Sequence, residues 1–365
     1  MSANKIGVAV IGCGRIAGHH CNSILQANGM EMLAVCDLDK EKAETWGIKY
    51  SIPSYTDYRK MIDENPPVQI VAIITPSGMH YEHGIEVLKD FGKHIIMEKP
   101  TFMRPEQLVS IYETADQLGL KIFPVFQNRY NKAVQRVKTA LDSGELGEIR
   151  VVSVRTRWCR PQRYYDLAPW RGTFSHDGGA LTNQGIHHVD LLRYLGGPVD
   201  RVSAVMRTLG VEIEAEDTVT GTFTYKAGAV GNLEVTMAAR PDDFEASFSI
   251  VGSKGLAQIG GIAVNELQIF SPDPSTCVTY SEDFSDCVYG NGHAKMYQDI
   301  VAHFQDGSPY PVLKEDALST IKLLHAFYRS DEAEGAFVKV DSNEPSTRLG
   351  RPNEKISDLY RTKNQ

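Results

Sequence analysis

Two stretches of this chain put reactive residue types where a folded chain can use them. In Gly12-Cys13-Gly14-Arg15-Ile16-Ala17 the glycines directly follow an apolar run, Ile6–Ile11, and open a helix-forming stretch. Gly12 permits a tight turn, Gly14 lets an anion approach the backbone, and Ala17 lets helix and strand pack closely. The N–H groups of Arg15 and Ile16 fall at the helix start, where the dipole favours phosphates. Asp37 ends the next apolar run, 20 residues after Ala17. An acid there accepts from ribose hydroxyls and repels a 2′-phosphate, which selects NAD over NADP. The second stretch is Glu98-Lys99-Pro100, after the apolar run His94–Met97. Partial burial and positive neighbours would lower the Lys99 pKa toward that of a working base.

The elements that must position these residues follow from periodicity. Strands are expected at Ile6–Ile11, Met32–Asp37, Val68–Thr75, His94–Met97 and Lys121–Phe126, with helices between them. That alternation predicts a doubly wound parallel sheet, an N-terminal Rossmann domain over residues 1–126. Thr75, Ser77 and His80 leave the third strand at its carboxyl end, the ligand edge of such sheets, and are read as cofactor contacts. Gln127 and Arg129 follow the fifth strand at the same edge, as cofactor or substrate contacts or as hinge residues. Beyond a helix at about 133–141, strands at 149–158, 202–209, 217–225, 229–237, 244–252 and 257–262 follow without intervening helices. They predict an α+β domain, residues 127–340, with a large open antiparallel or mixed sheet. Residues 341–365 read as a polar, poorly ordered tail.

Composition excludes several classes. The chain has 365 residues, enough for two domains, and a net charge of −8, unlike a nucleic-acid binder. No stretch approaches the ~20 apolar residues of a membrane span. Six cysteines without a CxxC pair, and histidines without ligand spacing, predict reduced thiols, no metal and a cytoplasmic enzyme.

The motifs Gly12–Ala17, Thr75–His80, Glu98–Pro100 and Gly178-Gly-Ala-Leu-Thr-Asn-Gln-Gly-Ile-His-His-Val-Asp190, in order, resemble the Gfo/Idh/MocA oxidoreductases over about residues 5–340. The resemblance implies hydride transfer from a secondary sugar alcohol to NAD, with Glu98 and Lys99 near the cofactor. It implies that His187 faces the substrate hydroxyl and takes the proton directly or through Lys99. Asn183, four residues before His187, would share a helix face with it. The family commonly has Asp at that position, so the departure leaves open which of Lys99 and His187 is the base. Gln184 lies in the same motif and is expected at the substrate, while His188 reads as a packed residue. Trp158–Asp166, Trp170-Arg171-Gly172, Gly260–Glu266 and Val288–His293 resemble the UDP-N-acetyl-2-amino-2-deoxyglucuronate 3-dehydrogenases of bacterial surface-polysaccharide pathways. That group implies oxidation at C3, reoxidation of bound nicotinamide by 2-oxoglutarate in some members, and dimers or tetramers. Trp170 and Arg171 would touch cofactor.

The substrate clue from the residues themselves is arginine. Between residues 150 and 171 there are Arg150, Arg155, Arg157, Arg160, Arg163 and Arg171 against one acid, Asp166. Such a cluster suits a uronic acid or a pyrophosphate, although a salt-bridged sheet surface explains any single arginine equally well. Arg160, Tyr164, Tyr165 and His293 are expected as substrate contacts, with Arg129. Alternatives are a UDP-N-acetylglucosamine 3-dehydrogenase, a free-sugar or inositol dehydrogenase, and a non-catalytic NAD-binding regulator.

Overall fold

The computed structural model describes residues 5–284 and 289–362. Cys287 and Val288 of the sequence reading lie outside them. The chain forms two compact units. One contains the residues up to Val125, His293–Leu318 and the segment from Pro352; the other contains Phe126–Gly292 and Ser319–Arg351.

The first unit is built on β1 (Ile6–Ile11), β2 (Met30–Cys36), β3 (Ser54–Tyr55), β4 (Val68–Ile73), β5 (His94–Met97) and β6 (Ile122–Pro124). Their order is β3-β2-β1-β4-β5-β6, all parallel. β1 is buried at every position and β4 at all but one, as apolar strands covered on both faces must be. The order reverses between β1 and β4, and ligand crevices form beyond the carboxyl ends at such a point. Gly12, Thr75 and Lys99 follow β1, β4 and β5 there.

Two later segments belong to this unit, contrary to the expected division at 126 and 340. Tyr310 donates to the Pro124 carbonyl at 2.8 Å, and its ring meets Phe123 at 5.1 Å. Arg361 forms a two-bond clasp on Glu82 at 2.7 and 2.8 Å. Apolar and ionic contacts with residues distant in sequence draw them in.

The second unit holds β7 (Ile149–Arg157), β8 (Val199–Arg207), β9 (Thr218–Tyr225), β10 (Val230–Thr236), β11 (Glu245–Gly252), β12 (Leu256–Gly260), β13 (Glu266–Phe270) and β14 (Val338–Lys339). The order is β13-β12-β11-β7-β10-β9-β8-β14. Among the described residues of this sheet only β7 and β10 pair in parallel, so the sheet is mixed. Alternating residues such as Val202, Phe223, Leu233 and Phe248 are buried on one face. Helix Ile186–Gly196 packs on β7. Residues 341–351 are not a loose tail. Leu349 and Ser346 are buried, and the Ser346 N–H donates to His325 Nδ1 at 2.9 Å.

Candidate active site

At the nucleotide loop the two glycines do different work. Gly12 has φ +100°, and a Cβ there would sit 2.6 Å from the Ile74 carbonyl oxygen, so only glycine fits. A Cβ at Gly14 would meet nothing within 4 Å. Among the described residues nothing requires glycine at 14, which fits a backbone kept bare for a ligand. Asp37 Oδ2 accepts from the Cys13 N–H at 2.8 Å, and its Oδ1 from the Asp39 N–H at 2.9 Å. Trp46, which sequence reasoning missed, donates its indole N–H to the Cys13 carbonyl at 3.1 Å. Ile16 caps helix Ala17–Gln26 without a side-chain bond, and Arg15 is exposed. The loop is braced from below and bare above, and its residues fit a dinucleotide phosphate.

Beyond β4, Ser77 is buried and Thr75 Oγ1 lies 3.0 Å from His83 Nδ1. His80 was expected to face cofactor. It is buried instead, with Nδ1 2.8 Å from the Pro100 carbonyl and Nε2 3.0 Å from the Thr75 carbonyl. It braces the loops after β4 and β5 against each other. Burial holds its pKa down.

Glu98 is turned inward. Its Oε1 lies 2.9 Å from His20 Nε2 and 3.6 Å from His293 Nε2, and its Oε2 accepts from the Lys99 N–H at 3.0 Å. His20 Nδ1 lies 2.8 Å from the Tyr297 hydroxyl. Burial opposes the Glu98 charge. His20 and His293 beside it, with the Lys99 charge, outweigh burial and hold the carboxyl well below the usual range. His293, expected at the substrate, is thus part of the first unit's interior, and burial lowers its pKa. One ligand atom from each of His20, Glu98 and His293 lies within 4.8 Å of the others, a grouping that linear spacing hides. His20 and the Lys99 N–H already satisfy the carboxylate, so the cluster reads as a hydrogen-bonded brace. Lys99 itself is half-buried, directly after β5.

In the second unit, Gly178 and Gly179 have φ of +80° and +86°. They lead into one turn of π-helix, Ala180–Gln184, and then helix Ile186–Gly196. A Cβ on Gly179 would strike the Glu216 carboxyl at 2.3 Å. Glu216 Oε1 accepts from the Leu181 N–H at 3.1 Å and the Tyr328 hydroxyl at 2.7 Å. Burial pushes its pKa up to about 8. Asn183 stands in the π turn, not in the regular helix expected of it, and donates its amide N–H to Asp177 Oδ1. His187 Nε2 lies 3.1 Å from Gln127 Nε2, which makes Gln127 a partner of the candidate base. His188 is fully buried, edge-on to Trp158 at 6.0 Å, the packed residue expected.

The arginine reading needs correction. Arg129 was expected at the substrate, but it is buried in a bidentate pair with Asp190 at 2.7 and 2.6 Å. Arg157 pairs with Glu234 at 2.6 Å and Glu245 at 3.1 Å, and Arg160 with Asp243 at 2.8 Å. Arg155 lies 3.8 Å from Glu245. Three of the six arginines counted along the chain, Arg155, Arg157 and Arg160, thus meet acids from β10, β11 and the loop before β11. Arg171 has different company. Its guanidinium lies 4.4 Å from the Tyr164 ring and 4.6 Å from the Trp170 ring, and it donates to the Tyr164 hydroxyl at 2.6 Å. Gln184 donates to that same hydroxyl at 2.8 Å. Tyr165 is buried edge-on beneath Tyr164 at 5.1 Å, so it supports rather than presents a surface.

Comparisons with known proteins fit this geometry. Residues 6–126 match the model of an oxidoreductase family with an NAD-binding Rossmann fold, and residues 134–258 the GFO/IDH/MocA C-terminal domain. The WlbA dehydrogenase from Bordetella pertussis, crystallised with NADH and UDP-GlcNAcA, is 34% identical with a TM-score of 0.88. The match covers 94% of this chain and 100% of that one. The WlbA dehydrogenase from Chromobacterium violaceum, in complex with the same two ligands, is also 34% identical, with a TM-score of 0.85 over 94% and 98% of the chains. D-glucoside 3-dehydrogenase from Escherichia coli is 27% identical over 91% of this chain and 97% of its own.

Proposed function

This chain belongs to the Gfo/Idh/MocA oxidoreductases, and from that premise we propose that it oxidises the C3 hydroxyl of UDP-N-acetylglucosaminuronate to a ketone, with NAD as oxidant. The observation that carries this reading is the likeness along nearly the whole chain to two dehydrogenases crystallised with NADH and UDP-GlcNAcA. The bare backbone at Gly14 and the acid Asp37 agree with NAD. A 3-keto sugar nucleotide suits a later amination in surface-polysaccharide sugar synthesis.

The loop at Gly14 and Asp37 would hold NAD, which would supply a hydride acceptor for the carbinol carbon. The residues of the chain must handle the proton. As the C–H bond breaks, the hydroxyl proton passes to Lys99 or His187, and the oxygen becomes a carbonyl. Lys99 is placed by β5 and by the bond from its N–H to Glu98, and His187 by its helix and Gln127. Asn183 and Gln184 supply amide groups to the sugar. Arg171, stacked between two rings, is the cation best placed to meet an anion or the cofactor.

A second reading has its own support. Arg129, Arg157 and Arg160 are neutralised by partners, which weakens the case for a carboxylate on the sugar. A neutral UDP-N-acetylhexosamine is that alternative. No helix among the described residues is long and apolar enough to cross a membrane. Five described cysteines are unbridged. We place the protein in the cytoplasm as a dimer or tetramer, with 2-oxoglutarate as a candidate reoxidant.

The test is turnover of UDP-N-acetylglucosaminuronate, UDP-N-acetylglucosamine, UDP-glucuronate and myo-inositol with NAD, with 2-oxoglutarate added in a parallel set. Product masses are checked. Oxidation of the acidic amino sugar alone is expected. Oxidation of the neutral sugar nucleotide alone would discard the carboxylate, and NAD binding without turnover would favour a sensor.

A further inference from the structure

Cys13, between the two glycines of the nucleotide loop, is held at both of its backbone polar groups. Asp37 Oδ2 accepts from its N–H at 2.8 Å, and the Trp46 indole N–H donates to its carbonyl at 3.1 Å. Trp46 lies on helix Lys40–Tyr50, which Asp39 caps by accepting from the Glu41 and Lys42 N–H groups. The indole packs on helix Ala17–Gln26, where a Cβ on Gly18 would lie 2.9 Å from Trp46 Cη2. One turn further on, Tyr50 stacks on the indole with ring centroids 5.7 Å apart, and its hydroxyl donates to Asn22 Oδ1 at 2.9 Å. Gly18 and Asn22 are four residues apart, as are Trp46 and Tyr50, so each pair shares one face of its helix. These two faces clamp the indole and aim its N–H.

A trans peptide carries its C=O and its N–H on opposite sides. The Cys13–Gly14 peptide is trans, so whatever holds the Cys13 carbonyl also sets the direction of the Gly14 N–H. We propose that Trp46 is a positioning residue for the cofactor: by holding the Cys13 carbonyl it turns the Gly14 N–H away from the protein-filled side of the loop, to meet the NAD pyrophosphate. This rests on the reading that the loop at Gly14 holds NAD. Glycine at 14 gives clearance, but it also leaves the backbone free to take many conformations. A loop that had to be ordered at the moment of binding would bind more weakly than one already set. The indole removes that freedom beforehand, from the side of the loop opposite the ligand.

Three variants read this out. Trp46→Phe keeps a ring against Gly18 and removes the N–H. Its Kd for NAD rises about threefold to tenfold, the worth of one net hydrogen bond. ADP-ribose, which has the pyrophosphate and lacks the nicotinamide, weakens by the same factor. Gly18→Ala reaches the bond from the other side. Its Cβ pushes the far edge of the indole and shifts the N–H off the Cys13 carbonyl, so NAD weakens by a similar factor with Trp46 still in place. Once one substitution has broken the bond, the other has little left to remove. The double variant therefore binds NAD about as well as the weaker of the two single ones.

Calorimetric titration measures binding, and thermal unfolding without cofactor reports on the fold. The wild type is titrated first, and a wild type that binds no NAD overturns the cofactor reading and this proposal with it. If the wild type binds, a Kd for Trp46→Phe within about twofold of its value overturns the proposal alone. A bond that only held the fold would move the melting temperature and leave the Kd where it was. Losses that add in the double variant, or a loss for NAD that ADP-ribose does not share, also overturn it, because the indole would then act elsewhere than on the Gly14 peptide. Should Trp46→Phe fail to fold, Gly18→Ala carries the same test, and an unchanged Kd in that variant overturns the proposal.

Discussion

His20 Nε2 lies 2.9 Å from Glu98 Oε1, and the pair is buried within the Rossmann unit. One partner comes from the helix after the glycine loop and the other from the residue before Lys99. The bond thus joins the nucleotide loop to the candidate base. Removing the imidazole leaves a buried carboxylate short of a partner, which costs more than the bond itself contributes. His20→Ala should lose about 2–3 kcal/mol of stability by denaturant unfolding. The Glu98 carboxyl is held below the ordinary carboxylate range. Its stabilisation is therefore present above the unfolded-state pKa and is lost as pH falls through the folded one. The advantage of wild type over Glu98→Gln should shrink on acidification. An advantage that stays constant with pH would show that the Glu98 charge is not what stabilises the fold.

Glu216 behaves in the opposite sense. Burial raises its pKa from 4.5 to about 8. A folded value above the unfolded one gives stability that is complete below about 4.5 and lost as pH rises toward about 8. Glu216→Gln, which cannot ionise, should gain on wild type across that window by at most about 1.4 kcal/mol per pH unit. Parallel melting-temperature curves for the two proteins would show that Glu216 ionises normally.

Gly12 and Gly14 should respond to alanine in different ways. At Gly12, φ +100° and the Ile74 carbonyl make any side chain costly, and Gly12→Ala should lose about 1–3 kcal/mol of stability. Gly14→Ala should fold with an unchanged melting temperature without cofactor, because a Cβ there meets no protein atom within 4 Å. Its NAD affinity should fall tenfold or more, about 1.4 kcal/mol. Normal NAD affinity by calorimetry would mean that the pyrophosphate lies elsewhere.

Lys99→Ala should lower kcat by about 100-fold to 10,000-fold, the range for removing a general base, and leave NAD binding intact. His187→Ala gives the comparison. The variant whose pH–rate profile loses its acidic limb identifies the base. Full activity of Lys99→Ala would remove it from the mechanism.

The sequence alone carried the parts of this protein that depend on neighbours in the chain. A glycine turn between an apolar strand and a helix, and an acid at the end of the next strand, are local patterns, so the Rossmann unit and its glycine loop were legible. The open mixed sheet was legible for the same reason, from alternating runs and the turns between them. Tertiary structure alone decided which charges meet. The arginines at 129, 157 and 160 looked like a ligand site because their acids, Asp190, Glu234 and Asp243, lie 61, 77 and 83 residues away. The partnership of His20, Glu98 and His293 was hidden for the same reason. The Asp177–Asn183 contact spans only six residues, yet it needed two left-handed glycines and a π turn to form, and no periodic pattern encodes that geometry. Periodicity reports which face of an element is apolar, whereas electrostatic pairing is set by distances that exist only after the chain has closed on itself.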